Sequence, residues 1–252
     1  MANEPKIVIE HFHASFEGKA VLRDLNLQVF PRERLALIGP AGGGKSTLLR
    51  SLNRMNDLAA DFARQGRILV DGVDILGPHT DIALLRRRLG MVTPMPSPLP
   101  CSVEENITLT LKMAGIRDAH RVVERLETGL KNVHLWEEVK DRLAQPALHL
   151  NNRQQQLLCL ARVLALEPEV LLLDKPCSGL DPVAASRFED VLAELKSRYT
   201  IILATNDSKQ AARASDRTAL IIAGELVEWG STHDLFFNPA NATTKAYITG
   251  RF

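Results

Sequence analysis

Apolar positions along this chain follow two rhythms. Near the ends they form short runs of strand length. Residues 6–10 and 25–30 have strand character, and "ERLALI" (33–38) is an apolar strand that runs straight into glycines. "EVLLL" (169–173) and "TIILAT" (200–205) repeat that pattern. Elsewhere the apolar positions recur every three or four residues. A helix is expected from about Lys45, with Leu48, Leu49 and Leu52 along one face. Residues 103–165 lean helical through "RVVERLETGL" and "QQLLCLARVLAL", and 183–197 places Phe188, Val191, Leu192 and Leu195 on one side. "DIALLRRRLGMV" reads as a short helix feeding a strand.

The punctuation fits. "GRILVDGVDI" (66–75) is a hairpin turning at Asp71-Gly72, and "TALIIAGELVEWG" is a closing hairpin turning at Gly224. In "TPMPSPLP" proline recurs at 94, 96, 98 and 100, so that piece is extended. Strands alternate with helices at both ends around a helical insert, which predicts an α/β core with a helical subdomain. The expected division is a core from 1–92 and 160–252, with about 93–159 as the proline-spaced segment and helical subdomain of a single domain.

Composition changes this picture little. At 252 residues, 45% apolar and 24% charged, the chain can bury a full core. A net charge of +1 gives no push toward nucleic acid or acidic lipid. No apolar run reaches the roughly 18 residues of a membrane span. "MANEPKIVIEHF" lacks a basic region followed by an apolar one, so it does not read as a signal peptide. Cys101, Cys159 and Cys177 are far apart and odd in number, as expected of buried thiols in a reducing cytosol. His11 and His13 in "HFH" could grip a metal from one strand face, or be structural.

The chemistry begins at "GPAGGGKST": Gly39, Pro40, Ala41, Gly42, Gly43, Gly44, Lys45, Ser46 and Thr47. It fits the phosphate-cradling pattern G-x-x-x-x-G-K-[ST] in full, between a strand and a helix. The glycines let backbone N–H groups converge on phosphate, and the helix start adds partial positive charge. Lys45 reaches the terminal phosphates, Ser46 suits Mg²⁺, and Thr47 is expected near the α-phosphate. Asp174, closing "EVLLL", is the acidic residue expected to hold Mg²⁺ through water.

With these pieces in place, the chain resembles the ATP-binding subunits of ABC transporters, and most of all the phosphate-import subfamily. "IGPAGGGKSTLLRSLNRMNDL", "PSPLPCSVEENI", "QQQLLCLAR", "EVLLLDKPCSGLDP", "QAARASDRTAL" and "YITGR" carry the resemblance nearly end to end. The resemblance implies a P-loop NTPase (RecA-like) α/β core, an N-terminal antiparallel β subdomain and a helical insert. It implies ATP and Mg²⁺ as ligands, and membrane permease subunits as partners. It also implies a dimer with a second copy or a related ATPase subunit, and a cytoplasmic location on the inner face of the membrane. An aromatic near the N-terminus is expected to stack on adenine, and Phe16 or Phe12 fits.

The family's working positions are substituted. The glutamine that opens the proline-spaced segment is Pro94, and the glutamate after Asp174 is Lys175. The histidine after "TIILAT" is Asn206. The Leu-Ser-Gly-Gly-Gln signature that faces the partner's nucleotide reads Leu150, Asn151, Asn152, Arg153, Gln154, while Asp181 of "SGLDP" persists across the dimer seam. A positioned general base contributes about 10²–10⁴ in rate, and an ammonium has no lone pair with which to take a proton from water. Base and signature are both lost on one chain, so even an intact partner leaves each shared site short of one of them. The expectation is an ATP-binding importer subunit with impaired hydrolysis. The alternative is a non-hydrolysing pseudo-ATPase with a regulatory or interaction role.

Overall fold

The computed structural model describes residues 4–252. The first three residues of the segment read for a signal peptide lie outside the described residues.

Two sheets organise the chain. The first is antiparallel, in the order β2-β1-β4-β5, and contains β1 (Ile7–Phe16), β2 (Lys19–Val29), β4 (Phe62–Val70) and β5 (Val73–Asp74). β1 and β2 run well beyond the segments with obvious strand character. The reason is a set of register shifts between Ile9 and Ala14, where His11 takes φ 46°. An irregular register breaks the two-residue alternation that marks a strand in sequence. The β4–β5 hairpin turns at Asp71-Gly72, both with positive φ, as expected.

The second sheet has the order β10-β9-β3-β8-β7-β6. It comprises β3 (Arg34–Ile38), β6 (Leu89–Val92), β7 (Val170–Asp174), β8 (Thr200–Ala204), β9 (Arg217–Ile222) and β10 (Glu225–Ser231). β10 alone pairs antiparallel, through a turn at Ala223-Gly224. The central strands β7 and β8 are buried at every position, as befits parallel strands covered on both faces.

One core fills the space between the two sheets. Ile7, Phe12, Leu22 and Ile68 from the antiparallel sheet meet Leu35, Leu37, Val170 and Leu172 from the parallel one. There they enclose the apolar face of α1 (Lys45–Leu52), with Leu48, Leu49 and Leu52 buried as expected. Phe12 has no exposed surface and belongs to this core, which removes it as a candidate adenine platform.

A second core covers the opposite face of β7 and β8. It takes in α3 (Val103–Met113), α4 (Ala119–Asn132), α5 (Trp136–Val139), α6 (Asn152–Leu164) and α7 (Pro182–Leu195). α2 (Ile82–Arg88) leads into β6, and 94–100 carries no regular structure. α8 (Ser208–Ala214), α9 (Thr232–Phe237) and α10 (Ala242–Ile248) close a smaller cluster on β3 and β9. Among the described residues, no helix is long and apolar enough to cross a membrane.

Candidate functional site

The parallel strands end on a common edge, and the candidate site lies there. β3 ends at Ile38, and the chain turns through Gly39–Gly44 into α1. The loop is wedged against its neighbours. A Cβ on Gly39 would lie 2.0 Å from the Ile221 carbonyl oxygen, and one on Gly44 would lie 2.6 Å from Leu22 Cδ2. The amide of Gly224, in the β9–β10 turn, donates to the Gly43 carbonyl at 3.1 Å. Strand, loop and turn therefore hold one another, which fixes the loop at the place where the sequence pattern puts an anion cradle.

Lys45 is 3% exposed, and its Nζ donates to the carbonyl oxygens of Gly39 (2.7 Å) and Pro40 (2.8 Å). Burial pushes its ammonium down to about 8; the Lys175 cation adds to that fall and Asp174 opposes it. A triphosphate in the loop would supply the anionic partners that this lysine lacks.

Ser46 donates its Oγ proton to Asp174 Oδ1 at 2.8 Å. Asp174 is fully buried, and its Oδ2 has no hydrogen-bond partner, with only Arg50 Nη2 nearby at 3.7 Å. A buried carboxylate oxygen without a donor, beside a serine hydroxyl, suits a hydrated Mg²⁺. These residues therefore fit the metal, which when bound supplies positive charge to phosphate oxygens. Thr47 follows Ser46 on the same helix turn and is half-buried. Arg50 was not anticipated, although its signal was present: it lies four residues after Ser46 and so shares its helix face.

Beyond Asp174 the chain turns sharply. Lys175 takes φ 45°, and its amide donates to the Ala204 carbonyl at the end of β8 (2.8 Å). Lys175 and Asn206 line one cavity of about 540 Å³, with Cys177, Ser178 and Gln210. The two substituted positions are thus brought together. Two carboxylates also line the cavity, and both are engaged. Glu189 accepts from Arg213 at 3.0 and 3.1 Å, and Asp207 accepts from the amides of Lys209 and Gln210 at the start of α8. Burial pushes the Cys177 thiol up to about 11, so it remains protonated.

The signature residues gather elsewhere on the surface. Asn151, Asn152 and Arg153 line a cavity of about 520 Å³ together with Asp181 and Arg187. Asn151 caps α6, accepting from the Gln154 amide at 2.9 Å, while Gln154 Oε1 accepts from the Asn151 amide at 3.2 Å. Arg153 is turned onto Glu138, with Nη2 at 2.8 and 2.6 Å from the two carboxylate oxygens. Gln154 is buried and also donates to Glu138, at 2.8 Å. Sequence reading did not find Glu138, because nothing local to "LWEEV" marks a contact with residues 15 and 16 positions ahead. Asp181 caps α7 through the Val183 and Ala184 amides, both at 2.9 Å.

Three other candidates are placed as follows. Phe16 is half-buried at the end of β1, against Phe62 with ring centroids 5.1 Å apart. Pro94 is half-buried, one residue after Thr93, whose carbonyl accepts from the buried Gln156 at 3.1 Å. His11 and His13 both engage Asp24, the first through its carboxylate (2.7 Å) and the second by accepting its amide (3.3 Å). Among the described residues, no group of three or more His, Cys, Asp or Glu side chains gathers as a metal site.

Known proteins share this layout. The family model described as ABC transporter matches residues 22–178. Phosphate import ATP-binding protein PstB 1 from Streptococcus agalactiae serotype III (strain NEM316) is 43% identical over 249 residues, 99% of both chains. The protein of that name from serotype V (strain ATCC BAA-611 / 2603 V/R) matches equally well. Among solved structures, cbiO1 from Clostridium perfringens, part of the ABC transporter complex cbiONQ, superimposes with a TM-score of 0.81 at 25% identity, covering 93% of this chain and 92% of that one. A bacterial Atm1-family ABC exporter with ATP bound gives 0.80 at 25% identity, covering 98% of this chain and 42% of the exporter. The wedged glycine loop, the Ser46–Asp174 pair and these matches lead to one assignment: the chain belongs to the ABC transporter ATP-binding family.

Proposed function

We propose that this chain is the ATP-binding subunit of an ABC-type phosphate import system, and that its own hydrolysis step is impaired. The import assignment is supported by 43% identity running the length of proteins named for phosphate import. Nucleotide binding is supported by the cradle: the Gly39–Gly44 loop, the buried Lys45 and the Ser46–Asp174 pair suit Mg-ATP. In this role the subunit docks on membrane permease subunits from the cytoplasmic face and pairs with a second copy or a related ATPase subunit.

One observation carries the impairment: Lys175 and Asn206 face a common cavity, and the carboxylates that line it are already engaged. An attacking water there meets an ammonium and an amide, neither of which takes a proton at neutral pH. A positioned base accounts for about 10²–10⁴ in rate, and losses within one site do not add.

The test is turnover of the purified protein beside a variant that carries Lys175→Glu, Asn206→His, Asn151→Ser, Asn152→Gly and Arg153→Gly. The expected result is a slow wild type and a variant at least about a hundredfold faster. A wild-type rate equal to that of an ordinary ABC importer subunit overturns the impairment.

A further inference from the structure

The "YITGR" stretch (247–251) carries part of the family resemblance, yet nothing above gives its tyrosine a task. Its last three residues close α10. Thr249 is the C-cap, and its Oγ1 donates to the Lys245 carbonyl at 2.8 Å. Gly250, at φ 69°, donates its amide to the Tyr247 carbonyl at 3.2 Å, and the Arg251 amide donates to Ala246 at 2.9 Å. These two bonds form a Schellman motif. The start of the helix is pinned as well, since Glu228 of β10 accepts from the Ala240 and Asn241 amides at 2.8 and 3.2 Å. α10 is thus held at both ends without the side chain of Tyr247.

That side chain is directed to the phosphate loop. It is half-buried and packs, with Ile248, on the cluster of Ala36, Ile38, Ala211, Leu220 and Leu235. Ile38 and Leu220 are the last register pair of β3 and β9. The residues that follow them, Gly39 and Ile221, are the two that meet in the wedge. The cluster under Tyr247 therefore includes the final rung before the loop. Burial pushes the Tyr247 hydroxyl up, and a hydrogen bond from the Gly39 backbone opposes that rise. The Gly39 carbonyl in turn accepts from Lys45 Nζ at 2.7 Å.

We propose that Tyr247 is a positioning residue for the phosphate loop: docked on the cluster that contains the Ile38–Leu220 rung, it fixes the Gly39 peptide and with it the resting place of Lys45. The inference rests on the nucleotide-binding reading above and extends it to a residue on α10. A loop held in place before its ligand arrives loses less freedom on binding, so this support acts on affinity as well as on stability. Ile248 shares the cluster but has no polar group to offer Gly39, so its contribution is to packing alone.

The test is equilibrium titration with a fluorescent methylanthraniloyl-ATP, beside urea unfolding, on wild type, Tyr247→Phe, Tyr247→Leu, Ile248→Ala and Lys45→Ala. Tyr247→Phe is expected to bind about fivefold more weakly, the worth of one hydrogen bond, and Tyr247→Leu more than about tenfold more weakly. Ile248→Ala is expected to lower the urea midpoint at least as far as Tyr247→Phe while its affinity stays within about twofold of wild type. Affinity within about twofold of wild type in both Tyr247 variants overturns this proposal alone. So do affinity losses that simply follow the urea midpoint across all three α10 variants. If Tyr247→Leu fails to fold, Tyr247→Phe against Ile248→Ala decides by the same criteria. Absence of binding by wild type, or binding indifferent to Lys45→Ala, overturns the nucleotide-binding reading and this proposal with it.

Discussion

Gly39 and Gly42 stand three residues apart in one loop under different constraints. At Gly39 the positive φ of 141° coincides with a backbone carbonyl 2.0 Å from where a Cβ would be. At Gly42 the φ of 76° is the only obstacle, because nothing lies within 4 Å. Backbone strain alone costs about 1–2 kcal/mol, while forcing β3 away from β9 adds an overpacking cost of about 1–3 kcal/mol. Gly39→Ala is therefore expected to destabilise the protein by more than about 2 kcal/mol and Gly42→Ala by about 1 kcal/mol. Urea midpoints of the two variants test the difference; equal losses would mean that the Ile221 contact is readily relieved. This part of the site was legible because everything in it is local. Strand, glycines, lysine and hydroxyl fall within a few residues; Arg50 was missed, although its helical spacing from Ser46 marked it. The fate of Phe12 was not, since an aromatic in a strand reads the same whether it faces a ligand or a core.

At the scale of elements, α6 explains how a substituted signature still folds. The helix needs a side-chain acceptor at its start, and asparagine serves as well as serine. Asn151 does so within a reciprocal pair with Gln154. Asn151→Ala is expected to cost about 1 kcal/mol and Asn151→Ser less than about 0.5 kcal/mol. Thermal unfolding distinguishes them, and an equal loss in both variants would rule out capping as the residue's contribution. Periodicity identified the helix, but the latch of Arg153 onto Glu138 escaped it. That contact crosses a loop, and pattern reading registers only what neighbours on one element share. The lengths of β1 and β2 escaped for a related reason, since the shifts around His11 scramble the alternation that sequence reading relies on.

At the scale of the whole molecule, one ion cluster ties the two sheets together. Glu169, just before β7, accepts from Arg88 at 2.7 and 2.9 Å and from Lys6 at 2.5 Å. Lys6 and Arg88 also pair with Asp71 at the β4–β5 turn. The Arg88 hydrogen bonds, joined by Lys6, hold the Glu169 carboxyl at about 2 against an opposing effect of burial. A depressed carboxyl contributes stability above its unfolded value of about 4.5, and that contribution is lost as pH falls toward 2. Glu169 is 39% exposed, so solvent and salt screen part of the effect. Glu169→Gln is expected to lose less stability than wild type between about pH 5 and about pH 3 at low salt. Parallel acid-limb slopes in urea unfolding would show that the cluster does not couple the sheets.

The Arg153–Glu138 latch bears on any attempt to edit the signature. Glu138 accepts from both Arg153 and Gln154. Replacing the arginine with glycine removes the ion pair at 2.6 Å but leaves Glu138 the Gln154 bond and the field of Arg142. Glycine is also a poorer helix former than arginine. A glycine at 153 therefore acts on the start of α6 in two ways, and making the change with and without a neutral residue at 138 separates them.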